Sequence, residues 1–176
     1  VLASSPEEKI TEGLDGLRER LKEYYKLGAR FTKWRAVFSI SNKYPSKLSI
    51  NANSHALARY SALVQECKMV PIVEPEVLMD GNHSSEDCFN KTSSVLKKCF
   101  EELVFHNVDL SGIILKPNMI LSGTNSDKKI SNEEVAKLTL KCLKENVPKN
   151  VPGIAFLSGG QTEIQATENL NLINKF

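Results

Sequence analysis

The chain has 176 residues, 41% of them hydrophobic and 25% charged, with 23 basic side chains against 21 acidic ones and a formal charge of +2. No run approaches the roughly 18 consecutive apolar residues of a membrane span, and so even a balance excludes the clustered Lys and Arg of a nucleic-acid footprint. Composition alone fits one soluble globular domain of ordinary size.

Leu14, Leu17, Leu21 and Tyr24 recur at helical spacing between Gly13 and Leu27, with Gly28 as a stop. Phe31 to Ile40 reads as a strand, Asn53 to Lys68 as a helix, and Met69 to Glu74 as a strand. Ser84 and Ser85 open a helix to His106, with Glu86 and Asp87 in the first turn where the helix dipole favours acids. Ser111 to Lys116 is a strand. Ser131-Asn132-Glu133-Glu134 is close to a capping box and opens a helix to about Asn146. Gly153 to Ser158 is a strand, and Gln161 to Leu170 is helical.

One helix followed by four strand–helix units predicts a parallel α/β sheet with crossover connections. Lys33, Glu74, Lys116 and Ser158 mark the strand ends, at steps of 41, 42 and 42 residues. Strand C-terminal ends carry the active sites of (β/α)8 TIM barrels. A doubly wound open sheet also binds ligands there and is the competing architecture.

The cysteines, Cys67, Cys88, Cys99 and Cys142, show no CxxC pair and read as reduced thiols. His55, His83 and His106 are widely spaced and read as surface or capping residues, so no metal cluster is expected. The first residues, Val1 to Pro6, lack the basic and apolar regions of a signal peptide and an initiator Met. The expectation is a cytoplasmic chain that begins inside a longer one.

Four groups could carry chemistry. Lys116 closes an apolar strand; desolvation there favours the free amine that forms a Schiff base, unless the side chain simply reaches solvent. Lys33 and Arg35 share a strand face, so both can enter one site and Arg35 can clamp an anion. The alternative is a solvated basic edge with Trp34 in the core. Glu74 and Glu76, also two apart, could transfer protons or form structural ion pairs with Lys33 and Arg35; both can hold at once. Ser158-Gly159-Gly160 is either a backbone anion site before a helix or an ordinary turn. No P-loop and no Rossmann glycine fingerprint is present.

Several stretches together resemble the class I fructose-1,6-bisphosphate aldolases. They are Gly13 to Leu17, Phe31 to Arg35, Leu57 to Tyr60, Val70 to Glu76 with Asp80-Gly81, Leu115 to Met119, and Phe156 to Gln161. The resemblance implies a (β/α)8 barrel, of which about four βα units lie here. It implies reversible cleavage of fructose 1,6-bisphosphate to dihydroxyacetone phosphate and glyceraldehyde 3-phosphate, with no metal or other cofactor. Lys116 matches the Schiff-base lysine, Glu74 the acid–base glutamate and Lys33 the active-site lysine. Arg35 matches the arginine of the Lys-Trp-Arg motif. Glu76 matches a glutamate that helps position the lysines, and Ser158 and Gly159 match the phosphate-binding turn.

The family's first-strand aspartate, third-strand lysine, eighth-strand arginine and C-terminal tyrosine have no counterpart here. All 176 residues are therefore expected to form part of one barrel domain, strands four to seven, inactive in isolation. Met79, where the family usually has proline, is expected not to touch the chemistry. The resemblance further implies a homo-tetramer and binding of actin or the cytoplasmic tails of adhesins. A non-catalytic binding fragment is thus the alternative to an enzyme. Another Schiff-base barrel, such as a transaldolase or deoxyribose-phosphate aldolase, is disfavoured by the Lys-Trp-Arg and Leu-Lys-Pro-Asn-Met motifs.

Overall fold

The computed structural model describes all residues from Val1 to Phe176. Helix α1 (Leu17–Lys26) ends where Gly28 takes φ +104°, a conformation that a side-chain-bearing residue rarely adopts. Four strand–helix units follow: β1 (Phe31–Phe38) and α2 (Lys47–Glu66), β2 (Val70–Val77) and α3 (Ser85–Phe105), β3 (Ile114–Leu115) and α4 (Asn132–Asn146), β4 (Gly153–Ile154) and α5 (Glu163–Ile173).

All pairings are parallel, and the strands stand in the order β1-β2-β3-β4. A doubly wound sheet reverses its strand order at a switch point. No reversal occurs here. Each helix packs on the next, from α1 against α2 through to α4 against α5, forming a continuous outer layer. That arc of strands inside an arc of helices is barrel geometry.

The core lies between the two layers. Leu57 and Val64 of α2, Val73 and Val77 of β2, Leu96, Cys99 and Leu103 of α3, and Leu115 of β3 are fully buried there. Each such Leu or Val contributes roughly 1.5–3 kcal/mol by leaving water. The four cysteines are free and buried, as expected. The opposite, inner face has no helix on it. Phe31 and Val70 are exposed there, Phe31 by 64%.

Three boundaries differ from expectation. Helix α2 begins six residues early, at Lys47. Ser46 caps it by accepting from Ser49 N–H, while Glu8 accepts from the Ser46 amide at 2.9 Å. Its first turns bury polar groups: Asn53 Nδ2 donates to the carbonyls of Lys9 (2.9 Å) and Ser49 (3.1 Å). A polar buried face carries no hydrophobic period. Strand β2 continues past Glu74 to Val77. Strands β3 and β4 are only two residues each, because Pro117 has no N–H to offer the ladder. Single bonds extend the alignment: Lys116 N–H to Val73 C=O at 2.8 Å and Ala155 N–H to Leu115 C=O at 2.9 Å.

Candidate active site

On β1, Trp34, Ala36 and Phe38 point into the helical layer and are buried. Strand alternation sends Lys33 and Arg35 to the inner face. Glu74 and Glu76 occupy the corresponding face of β2. Parallel register places Arg35 level with Glu74, and the Lys116 N–H bond to Val73 puts Lys116 on the same level. Lys33 stands level with Ile72, two residues nearer the strand start, and reaches Glu74 diagonally. Lys33 and Glu74 therefore lie within their strands rather than at the ends.

The centre of the cluster is one carboxylate. Glu74 is 3% exposed, and it accepts from Lys33 Nζ through Oε2 at 2.6 Å and from Lys116 Nζ through Oε1 at 2.9 Å. Burial would raise this carboxyl, but the hydrogen bonds and charges of the two lysines outweigh it and hold it below its ordinary value of 4.5. Lys116 keeps 29% of its side chain exposed. Beside this triad Arg35 Nε donates to Glu76 Oε2. Glu76 bonds neither lysine. Its observed partner is Arg35, the ion pair offered as one reading of the sequence.

A cleft of about 470 Å³ opens over Lys33, Arg35 and the two glutamates; Lys116 reaches Glu74 from outside its lining. Lys33, Arg35, Glu74 and Glu76 form one wall, and Ser158, Gly159 and Gly160 the other. Gly159 (φ +57°) and Gly160 (φ +76°) turn the chain left-handed, and the amides of Ser158, Gly159 and Gly160 donate to no protein acceptor. Three N–H groups without a protein acceptor in a left-handed turn form a concavity suited to an anion, across from a wall whose two cations are paired with Glu74 and Glu76. The start of α5 does not contribute directly. Thr162 caps it by accepting from Gln165 N–H, and the Gln165 side chain caps in return.

Met79 was expected to lie clear of the chemistry. It is 4% exposed and lines the cleft, next to Gly159. Asn118 is a residue whose role sequence reasoning missed. Buried behind Lys116, it accepts from Val77 N–H at 3.0 Å and donates to Thr92 Oγ1 at 3.1 Å, tying the exit of β3 to that of β2. Its place directly after Lys116-Pro117 was the available signal. Of the histidines only His83 departs from expectation: it is buried with both ring nitrogens unpartnered. His55 is exposed and His106 caps the end of α3, as expected, and their rings meet across α2 and α3.

Sequence comparison decides the family: the model for class-I fructose-bisphosphate aldolase matches residues 1–176. The chain belongs to the class I fructose-bisphosphate aldolase family. A Xylella fastidiosa relative named "Probable fructose-bisphosphate aldolase class 1" is 55% identical over 175 residues, which is 99% of this chain and 52% of the relative. An Arabidopsis thaliana relative, "Fructose-bisphosphate aldolase 4, cytosolic", is 51% identical over 99% of this chain and 44% of its own length. The solved Plasmodium falciparum aldolase, in complex with TRAP and a small-molecule inhibitor, superposes with a TM-score of 0.96 at 48% identity. The match covers 98% of this chain and 50% of that one. The chain thus spans about half the length of the curated relatives it matches, and its four βα units form part of the aldolase TIM-barrel fold. No helix in it is long and apolar enough to cross a membrane.

Proposed function

We propose that this chain carries the Schiff-base machinery of a class I aldolase, which cleaves fructose 1,6-bisphosphate reversibly to dihydroxyacetone phosphate and glyceraldehyde 3-phosphate. The observation that carries the reading is the double ion pair of Glu74 with Lys33 and Lys116, beside a turn of free amides. Family membership supplies the substrate class.

In this reading Lys116 passes its ammonium proton to Glu74, and the free amine attacks the ketose carbonyl. Glu74 returns that proton to the carbinolamine hydroxyl, which leaves as water and gives the iminium. Glu74 removes the C4 hydroxyl proton, the C3–C4 bond breaks, and its electron pair flows into the iminium to leave an enamine. Lys33 stabilises negative charge at the reacting centre. The turn at Ser158 and Gly159 takes one phosphate, and Arg35, held by Glu76, adds a guanidinium to the same wall. The iminium is the electron sink, so the chemistry asks for no metal.

The chain would contribute the fourth to seventh strands of a single barrel domain, and alone it would be inactive. Exposed Phe31 and Val70 on the inner face support this, as surface for further strands to cover. A homo-tetramer working in the cytosol belongs to the same proposal. The "cytosolic" in the Arabidopsis relative's name supports that compartment.

A Lys116→Met variant of the full-length protein tests the reading. Release of triose phosphates from fructose 1,6-bisphosphate should fall by orders of magnitude while the folded secondary structure is kept. Wild-type-like turnover would overturn it. A second reading, a binding role toward actin or an adhesin tail, draws on the TRAP complex of the Plasmodium relative. Partner binding that survives in Lys116→Met would support that role independently of catalysis.

A further inference from the structure

Outside the cleft, His55, Glu102 and His106 converge on the outer helical layer, and none of them lines the cleft. Glu102 and His106 are one helical turn apart at the end of α3, so they share a face. Helix α2 packs on α3 and brings His55 to the same spot. The two imidazole rings meet edge to face with centroids 4.8 Å apart. Glu102 Oε2 lies 3.2 Å from His55 Nδ1 and 3.7 Å from His106 Nδ1.

Three features prepare these groups as ligands. His106 Nδ1 lies 2.9 Å from the main-chain carbonyl of Glu102. In the tautomer that carries its proton on Nδ1, this contact orients the ring and leaves Nε2 with a free lone pair, the arrangement that metal-binding histidines adopt. Glu102 is 15% exposed in its side chain and accepts a hydrogen bond from Lys98. Lys98 occupies Oε1 at 2.8 Å and leaves Oε2 turned to the histidines. The main-chain carbonyls at the end of α3 add negative potential.

We propose that His55, Glu102 and His106 form a surface site for a borderline divalent cation, Zn²⁺ foremost, which would clip α2 to α3. One donor atom from each residue lies within 4.8 Å of the other two. Ligands of a tetrahedral zinc stand about 3.4 Å apart, so side-chain torsions must close the widest separation by up to about 1.4 Å. His55, half exposed, has that freedom. Two imidazoles and one carboxylate suit Zn²⁺, Cu²⁺ or Ni²⁺ better than Mg²⁺ or Ca²⁺, and the fourth position stays open to water. The buried thiols are not accessible competitors in the folded protein.

The test is calorimetric titration of ZnCl₂ into chelator-stripped protein, paired with electron paramagnetic resonance of added Cu²⁺. The expected result is one equivalent of Zn²⁺ bound and nitrogen hyperfine coupling from two imidazoles. His55→Asn replaces a half-exposed side chain on the surface of α2. It should weaken Zn²⁺ binding about 10-fold or more, remove one nitrogen from the Cu²⁺ spectrum, and abolish any rise in melting temperature with Zn²⁺. No binding at stoichiometric metal would overturn the proposal. Binding and spectra unchanged in both His55→Asn and His106→Asn would also overturn it, by placing the metal elsewhere.

Discussion

The two faces of the one sheet obey opposite rules. Toward the helices, Trp34, Phe38, Val73 and Leu115 are buried among apolar neighbours. Toward the inside, the same strands present Lys33, Arg35, Glu74, Glu76 and Lys116, held by ion pairs rather than by packing. Alternation along a strand allows the division, since neighbouring residues point to opposite faces. The outer face supplies stability, while the inner face tolerates buried charge because each carboxylate has a cation within hydrogen-bonding reach. Substitutions on the two faces should therefore separate cleanly.

The largest effect on stability belongs to the outer face. Phe38 is 1% exposed, and Phe38→Ala should cost about 3–5 kcal/mol in a denaturant titration while leaving the Glu74 triad assembled. A loss below about 1 kcal/mol would mean that the helical layer does not carry the fold.

Glu74→Gln comes next. It removes the shared anion and leaves Lys33 and Lys116 facing a neutral amide. The expected loss is about 1–3 kcal/mol at neutral pH, with reaction velocity falling much further than stability. The wild-type contribution has a definite sign. The folded carboxyl sits below 4.5, so its stabilisation is complete above that value and is lost as pH falls through the depressed folded value. Comparing unfolding midpoints of wild type and Glu74→Gln between pH 7 and pH 3 should show the difference shrinking at the acid end.

His83 gives the smallest effect. Burial opposes its charged form and holds its pKa below 6.5, with Asp87 opposing that shift and Lys129 adding to it. The unfolded chain takes the proton more readily, so stability falls as pH drops from 6.5 through the lower folded value. His83→Gln should flatten that stretch of the pH–stability curve. An unchanged slope would assign the dependence to other groups.

Much of this division was legible in the residues. Alternation in Phe31-Thr32-Lys33-Trp34-Arg35 separates the two faces, and the strand–helix rhythm implies a parallel sheet. The capping box at Ser131 forms as its spacing suggested, and Ser84 opens α3. Less visible was whatever depends on distant partners. The start of α2 is held by Glu8 and by a carbonyl from the N-terminal segment, so its polar first turns look like a loop. That Glu76 serves Arg35 depends on how the β1–β2 register aims two side chains. His55 and His106 lie 51 residues apart in sequence, and only the packing of α2 on α3 makes them neighbours.

The central claim is that Lys116 is the amine that bonds substrate. Borohydride reduction of the protein with dihydroxyacetone phosphate, followed by peptide mass analysis, tests it most directly. The account predicts a reduced substrate adduct on the peptide carrying Lys116, absent from Lys116→Met. An adduct confined to Lys33 or to any other lysine, or no adduct on the active protein, would contradict it.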